Sequence, residues 1–396
     1  MKLVVRVYPL LALCLAMLGC GATEHTISSS SAGAGGSVSG GGGAGGRGGA
    51  NSGGIGGGMG GGQGGAAPAC GPVLTGARCL SSGWCFDGPT PEGVEFKAID
   101  GSLDGASVWA VGSRGGAFHL CEGQWQAVET GSEAALLDVW HPSADFALAV
   151  GEQGTILQWD GESWSALDSP TEQTLFAVWG SAPDDAWIGG RADADGMLLY
   201  HFDGAGFTRA TLPDALNADT LAVTGRGQSD VHAVGDLHQA FHFDGASWTM
   251  SSVMDSAETS GPIAEAVAYE DGSTLALIHG FGYDAIDAYD GAWNPSDIPG
   301  DPGDDPALQA LSRSASGKPW IVEQTLDDPP QRLLHEFDGA LWQATGEDLP
   351  VLPQAIWSDA NSGASWAVGA ATSLIERSNG TWSPVPEVTA LPPDPV

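Results

Sequence analysis

Alternating carboxylates ahead of a glycine are how an oxygen-rich loop can wrap a hard cation. The stretch "ADADG", ending at Gly196, presents Asp193 and Asp195 in that pattern. It lacks the full twelve-residue ligand set of a calcium loop, so calcium at Asp193 and Asp195 is a candidate, and no resident metal or cofactor is otherwise expected. Two further acidic runs carry Asp301, Asp304 and Asp305 in "GDPGDDP" from Gly300, and Asp327 and Asp328. Each alone reads more simply as a solvated acidic turn. His201 and His242 lie at equivalent places in neighbouring repeats, two residues before a turn aspartate. A two-histidine metal site would need them to converge with a third ligand; repeated strand positions explain them better. His232 stands where other repeats carry tryptophan and reads as structural. No nucleophile elbow, zinc-protease helix or phosphate loop is present. A glycosidase needs only two carboxylates a few ångströms apart, which an acidic chain always offers. Nothing in the context of Arg114, Arg191, Arg209, Arg226, Arg313, Arg332 and Arg377 points to a convergent arginine cluster.

The elements that must carry these groups repeat. "ILQWDGESWS" at Ile156 has counterparts in "YHFDGAGFT" at Tyr200, "FHFDGASWT" at Phe241 and "HEFDGALWQ" at His335. Aligned on the aromatic after the turn, the anchors are Trp125, Trp164, Phe207, Trp248, Trp293, Trp342 and Trp382. Each follows an acidic or amide residue and a glycine, and the spacing fits a four-stranded propeller blade. A second ladder runs in phase ("VWAVG" at Val108, "AWIGG" at Ala186, "VHAVG" at Val231, "SWAVG" at Ser365). A third precedes it ("LLDVW" at Leu136, "LFAVW" at Leu175, "QAIWS" at Gln354). Short apolar runs rich in branched and aromatic residues, bounded by turn formers, are strands. Asp-Gly is expected to make a tight hairpin turn between the last two strands of each unit, with the aromatic behind it packing between blades. The fold class is therefore all-β: a β-propeller of seven four-stranded blades, with six or eight left open because repeats five and six are degenerate.

Strand alternation assigns the connections to two faces. Turns after first and third strands are short; the long insertions fall after second and fourth strands, at Ala192–Gly196, Ser251–Pro262, Pro295–Pro306, Thr325–Gln331 and Thr345–Pro353. Insertions gathered on one face of a repeat array mark a binding face, so Asp193, Asp195, Asp301, Asp304, Asp305, Asp327 and Asp328 are the candidate binding residues. Ile298, Leu326, Leu349 and Leu352 are the candidates for an apolar docking patch among the same loops.

The remaining chain gives an address. Lys2 and Arg6 precede an apolar run from Val7 to Leu18, too short for an ordinary membrane span, and Gly19-Cys20 follows. Ser28 to Pro68 is almost entirely Gly, Ser and Ala; it cannot bury enough surface to order itself and would reach roughly 35 Å as a coil. Net charge is −36, from 13 basic and 49 acidic residues, which argues against nucleic acid and against electrostatic attachment to anionic lipid. Of six cysteines, Cys14 falls in the leader. Cys70, Cys79, Cys85 and Cys121 form an even set that an oxidising compartment would pair, with three connectivities open.

The leader resembles a bacterial lipoprotein signal, in which Cys20 becomes the lipidated N-terminus; Met17 stands where leucine is usual. The repeat pattern, clearest over Val178 to Phe207, resembles the tandem-repeat propeller domains of bacterial surface lipoproteins and secreted proteins. Kelch repeats and Asp-box repeats are more distant, since Asp and Gly are adjacent here and paired glycines are irregular. The resemblance implies residues 1–19 as signal, 20–68 as lipidated N-terminus and linker, 69–94 as a cysteine-containing cap, 95–386 as the propeller and 387–396 as a Pro-rich tail. The expected protein is a monomer, exported and lipid-anchored to the outer membrane or cell surface. It binds a protein or glycan without catalysis. A carbohydrate-active enzyme and an envelope assembly scaffold are the alternatives.

Overall fold

Second-ladder segments such as "VWAVG" are apolar on both sides, which a strand can satisfy only when covered on both faces. They are the second strands of their sheets, and Val108–Gly112 and Ser365–Gly369 are buried at every position. The computed structural model describes residues 94–385 apart from Glu122 and the segments 215–216, 252–261, 280–283, 297, 300–306 and 370–372, together with the strand backbones Arg78–Cys79 and Cys85–Phe86. Residues 1–77, the tail 386–396, Cys20, Cys70, Asp301, Asp304 and Asp305 lie outside the described residues. Cys79 and Cys85 are opposite each other in the two-stranded pairing, and Cys121 is disulfide-bonded.

The described residues form seven four-stranded antiparallel sheets, each a continuous meander. Blade 1 runs from Phe96 to Val128, blade 2 from Leu136 to Ala166 and blade 3 from Leu175 to Arg209. Blade 4 spans Thr220 to Met250, blade 5 Ile263 to Pro295, blade 6 Ala307 to Asp348 and blade 7 Pro353 to Pro384. First strands touch first strands all the way round, and that of blade 7 touches that of blade 1. The propeller therefore has seven blades, and the degenerate fifth and sixth repeats are complete.

Seven apolar clusters hold the blades together, one at each interface. Trp109, Val111 and Val128 of blade 1 meet Leu136, Trp159 and Trp164 of blade 2, and the pattern recurs around the ring. Phe96, Phe118 and Trp125 of blade 1 meet Trp366, Val368 and Leu374 of blade 7. Closure thus rests on packing, because every sheet is drawn from one stretch of chain. The anchors Trp125, Trp164, Trp248, Trp293 and Trp382 are buried, as interblade packing requires.

The first strands add a tighter lock. Near its end each of three blades sets a tryptophan against a glycine of the next blade. A Cβ on Gly180 would lie 2.6 Å from Trp140, one on Gly225 2.6 Å from Trp179, and one on Gly101 2.4 Å from Trp357. The last of these is the 7–1 seam.

The Asp-Gly turns differ from expectation. In blades 2, 3, 4 and 6 the connection is longer than two residues, and the aspartate does the closing. Asp160 Oδ1 accepts the N–H groups of Glu162 and Ser163 at 2.9 and 2.8 Å; Asp203, Asp244 and Asp338 repeat this. These backbone donors hold the four carboxyls below the usual carboxylate range. Among the turns whose residues are both described, Asn379-Gly380, with φ of 53° and 75°, is the two-residue turn with both centres left-handed. Two of the expected long loops are mainly strand: pairing continues to Asp193 and resumes at Gly196, and Trp342–Asp348 is one strand.

Gly101→Val should open the seam at Trp357 and destabilise the chain by about 1–3 kcal/mol. Gly206→Ala, with nothing within 4 Å of its Cβ, should change stability by less than about 0.5 kcal/mol. Urea unfolding of the two variants checks the contrast.

Candidate functional site

The connections sort onto two faces as strand alternation requires. On one lie tight turns such as 144–145, 183–184 and 228–229. On the other lie the blade-to-blade connections 129–135 and 167–174, the described part of 210–219, and the hairpin loop 325–331; most of the expected insertions Ser251–Pro262 and Pro295–Pro306 lies outside the described residues. Among the described residues of this second face, Glu129, Asp168, Glu172, Asp195, Asp214, Asp327 and Asp328 are exposed.

The candidate binding residues fare unequally. Asp327 and Asp328 are exposed on the 325–331 loop. Asp195 is exposed, but Asp193 is engaged: Arg209 Nη1 donates to its Oδ2 at 2.6 Å and Nη2 to its Oδ1 at 2.9 Å. That guanidinium holds the Asp193 carboxyl below its usual range. A cation at the 193–195 turn would have to displace a bidentate ion pair. The apolar patch divides too. Leu326 is 71% exposed and Ile298 36% exposed, whereas Leu349 is fully buried in the interface of blades 6 and 7. An open groove of about 510 Å³ runs along the rim of blades 2 and 3, past Gln158, Leu167, Asp168, Phe202 and Phe207. Asp168 is its one carboxylate, so no acid–base pair converges there.

Burial raises the carboxyls of Asp236, in the turn after the second strand of blade 4 and with Asp219 adding to the effect, and of Asp287 on the third strand of blade 5; the three raised furthest sit within the ring of first strands. Asp100 Oδ2 accepts the His141 N–H at 2.7 Å. Asp138 accepts Val139 N–H at 2.9 Å and, across the interface, Val178 N–H at 2.8 Å. Glu265 accepts Ala310 and Leu311 N–H at 3.3 and 2.5 Å. Desolvation raises Asp100 and Asp138 to about 7 and Glu265 to about 6, against the opposing backbone hydrogen bonds. Each carboxyl ties its blade to the next, so its lone pairs serve the fold.

The histidines follow a rule that register makes visible. In every blade the second residue of the "VWAVG" ladder lies opposite a third-strand residue. The pairs are Trp109 with His119, Leu148 with Gln158, Trp187 with His201, His232 with His242, Leu275 with Ala288, Trp320 with Glu336 and Trp366 with Glu376. His119 stacks on Trp109 at 4.2 Å between centroids, and His201 lies over Trp187 at 4.5 Å. His201 and His242 therefore belong to separate sheets, and His242 meets His232 instead. The residue opening the second strand anchors the third-strand histidine: Asp185 Oδ1 lies 2.7 Å from His201 Nε2, and Asp230 Oδ1 2.8 Å from His242 Nε2. The signal was present in sequence, since aligning Trp187 and His201 with the fourth repeat sets His232 opposite His242.

In blade 1 the anchor is Ser107, 2.6 Å from His119 Nε2 and 2.8 Å from His141 Nε2. His141 Nδ1 faces the Phe146 carbonyl at 2.9 Å, so Nδ1 carries the proton and Nε2 accepts from the Ser107 hydroxyl. His119 Nε2–H then donates to Ser107. This is a hydroxyl oriented by an imidazole, as in nucleophilic catalysis, but all three groups are at most 2% exposed. Burial, with the neighbouring histidine adding to it, pushes His119 down to about 3, and burial pushes His141 down to about 4. The trio is a buried structural relay.

No protein-family model matches the chain, and no curated protein matches it. Solved structures do. YCF48 bound to D1 peptide is similar at 15% identity with a TM-score of 0.51, over 71% of this chain and 92% of that one. A catalytically inactive virginiamycin B lyase from Staphylococcus aureus with quinupristin is similar at 11% identity and a TM-score of 0.56, over 76% and 97%. YCF48 from Cyanidioschyzon merolae is similar at 14% identity and 0.54, over 72% and 96%. At such identities the likeness shows the fold alone.

The Asp100 carboxyl gives a pH test of the interblade clasp. A folded pKa raised from 3.8 to about 7 means that the folded state binds the proton more tightly. Its stability contribution is complete below pH 3.8 and disappears as pH rises through 7. The side chain keeps some solvent exposure, which tempers the size. Asp100→Asn retains an acceptor for the His141 N–H without the charge. Its stability relative to the native chain should rise by about 1–3 kcal/mol between pH 4 and pH 8. A difference that stays flat across those urea titrations would mean that Asp100 is already ionised at acid pH.

Proposed function

We propose that this chain is an exported, lipid-anchored β-propeller of the bacterial envelope that binds a protein or glycan, without catalysis, through the face bearing its long connections. The observation that carries the reading is the asymmetry of the two faces. One is closed by tight turns whose aspartates are bound to their own backbone. The other gathers the extended connections and the exposed carboxylates Asp195, Asp327 and Asp328. Loops on a rigid repeat scaffold are where recognition is placed. The Cys20 leader and the Gly-rich stretch after it support a tethered head held off a membrane.

A protein partner is the better supported of the two ligand classes. Leu326 and Leu237, on loops of that face, are 71% and 62% exposed, and an apolar side chain held in water rewards burial against another protein. A propeller of like fold, YCF48, is known bound to a peptide. Glycan cleavage has less support: Asp100, Asp138 and Glu265, the carboxyls raised to about 6 or 7, are tied to neighbouring backbone, and Asp219, the carboxylate beside the raised Asp236, accepts the Ala192 N–H.

Two experiments test the reading. Cys20→Ala should move the protein from the membrane fraction to the soluble fraction; unchanged membrane association would remove the lipid anchor. For the binding face, the triple change Asp195→Asn, Asp327→Asn and Asp328→Asn should lower capture of envelope proteins or polysaccharide at least about tenfold. Glu162→Gln, Asp184→Asn and Glu270→Gln, exposed on the opposite face, should leave capture unchanged. Equal loss from both triples would assign the effect to net charge rather than to a face.

A further inference from the structure

Blade 4 is the blade where the tryptophan and its partner across the strands are both imidazoles. His232 and His242 are direct cross-strand partners, stacked with centroids 4.6 Å apart and planes 26° from parallel. Asp230, two residues before His232, brings its Oδ1 to 2.8 Å from His242 Nε2 and 3.5 Å from His232 Nε2. The three donor atoms lie within 4.8 Å of one another.

The state of His232 is the second observation. It is fully buried, and neither ring nitrogen has a hydrogen-bond partner. At the equivalent position tryptophan exposes one N–H, which can rest against a ring face. An imidazole brings a lone pair as well, and leaving it unmatched in the interior is unfavourable. As a packing residue His232 is therefore a poor replacement for tryptophan. As a donor to a cation entering from the Asp230 and His242 side, it has a use for that lone pair. Those two side chains are 29% and 23% exposed, so the approach is open.

We propose that Asp230, His232 and His242 form a binding site for a first-row divalent cation of the zinc type. The donor set of two imidazoles and one carboxylate suits such an ion, and a fourth position stays open toward solvent. With metal–ligand distances near 2.0–2.2 Å, tetrahedral ligand atoms stand about 3.4 Å apart. The His232–Asp230 separation already meets this; the His242–Asp230 contact must open by about half an ångström. Arg226 fixes the carboxylate: Nε donates to Asp230 Oδ2 at 2.6 Å, while Nη1 is held by the Ser273 carbonyl at 2.8 Å and Thr274 Oγ1 at 3.1 Å. This leaves Oδ1 facing the imidazoles, as an outer partner of a ligating carboxylate does. Its positive charge weakens affinity, which fits a site that loads and unloads. Tyr289 lies against both rings, 4.8 Å from His232 and 5.6 Å from His242, and walls the pocket on the blade 5 side.

The repeat itself supplies test variants. His232→Trp restores the residue of blades 1, 3, 6 and 7, and His242→Gln installs the residue of blade 2; neither asks the sheet for anything new. Purified full chain, stripped with chelator, would be titrated with Zn²⁺ by calorimetry and with Cu²⁺ by electron paramagnetic resonance. The native protein should bind one more equivalent of Zn²⁺ than His232→Trp, and His242→Gln should weaken that equivalent at least about tenfold. His201→Gln, in the neighbouring blade, should bind as the native protein does. The bound Cu²⁺ should show coupling to two nitrogens in the native chain and one in His242→Gln. Equal stoichiometry and affinity in the native chain and both blade 4 variants would overturn the proposal, and so would a copper spectrum unchanged by His242→Gln. Because the site lies on the tight-turn side, its failure would not touch the binding-face reading, nor would failure of that reading touch the site.

Discussion

Closure of the ring depends on shape complementarity between first strands. A propeller whose sheets are each drawn from one continuous segment has no exchanged strand to lock its ends by hydrogen bonds. Trp357 must therefore do at the 7–1 seam what Trp140 and Trp179 do inside the ring: fill the space left by a missing Cβ on the next blade. A contact of that kind tolerates little. A glycine can gain no atom there, and the tryptophan can lose none without leaving a cavity. At the interfaces of blades 1–2 and 4–5, where the Trp-on-Gly pair is absent, a polar clasp stands in its place. Asp100 takes the His141 N–H, and Thr224 Oγ1 takes the Ala268 N–H at 3.1 Å. The two solutions bridge the same gap between inner strands, one by volume and one by a hydrogen bond to the neighbour's backbone.

The clasps explain why acidity here is a poor guide to chemistry. Many aspartates spend their lone pairs on the chain itself. Those of the Asp-Gly turns bind N–H groups two and three residues on, and Asp104, Asp271 and Asp359 do so in turns between first and second strands. Asp138 and Glu265 bridge blades, and Asp193 and Glu347 each hold an arginine. A carboxylate whose hydrogen bonds are satisfied internally has little left for a ligand. What remains for recognition is a smaller set, and the exposed aspartates of the long connections belong to it.

The architecture was legible because its causes are local. Apolar runs of strand length, turn formers between them and an aromatic at a fixed offset recur in each repeat, and even the weak fifth and sixth units kept Asp290-Gly291 and Asp338-Gly339 at the right phase. The site was less legible because its causes are relational. Asp193 reads as a calcium ligand until Arg209, two strands on and far enough along the chain to escape pattern matching, is folded against it. Leu349 reads as loop until strand pairing carries Trp342–Asp348 up to the blade 7 interface. His201 and His242 look like partners because they occupy the same place in successive repeats. Equivalence across repeats means residence in different sheets, so true neighbours come from cross-strand register within one repeat.

That register makes the fourth blade informative. The position that faces the third strand accepts tryptophan, leucine or isosteric packing because its demands are volume and dryness. His232 meets the volume demand poorly and stays dry only as the neutral ring, since burial pushes its imidazole down to about 3, with the neighbouring His242 adding to the effect. A sequence under packing constraint alone has little reason to place an uncharged, unpaired imidazole in a fully buried slot, directly beside another imidazole and within reach of a carboxylate already oriented by Arg226. Asp230 and His242 repeat the Asp185–His201 pair of blade 3; His232 is the departure, and it adds a third donor aimed at the same point. The interior of a repeat protein is where such a departure is easiest to see, because six sister blades display what packing alone selects.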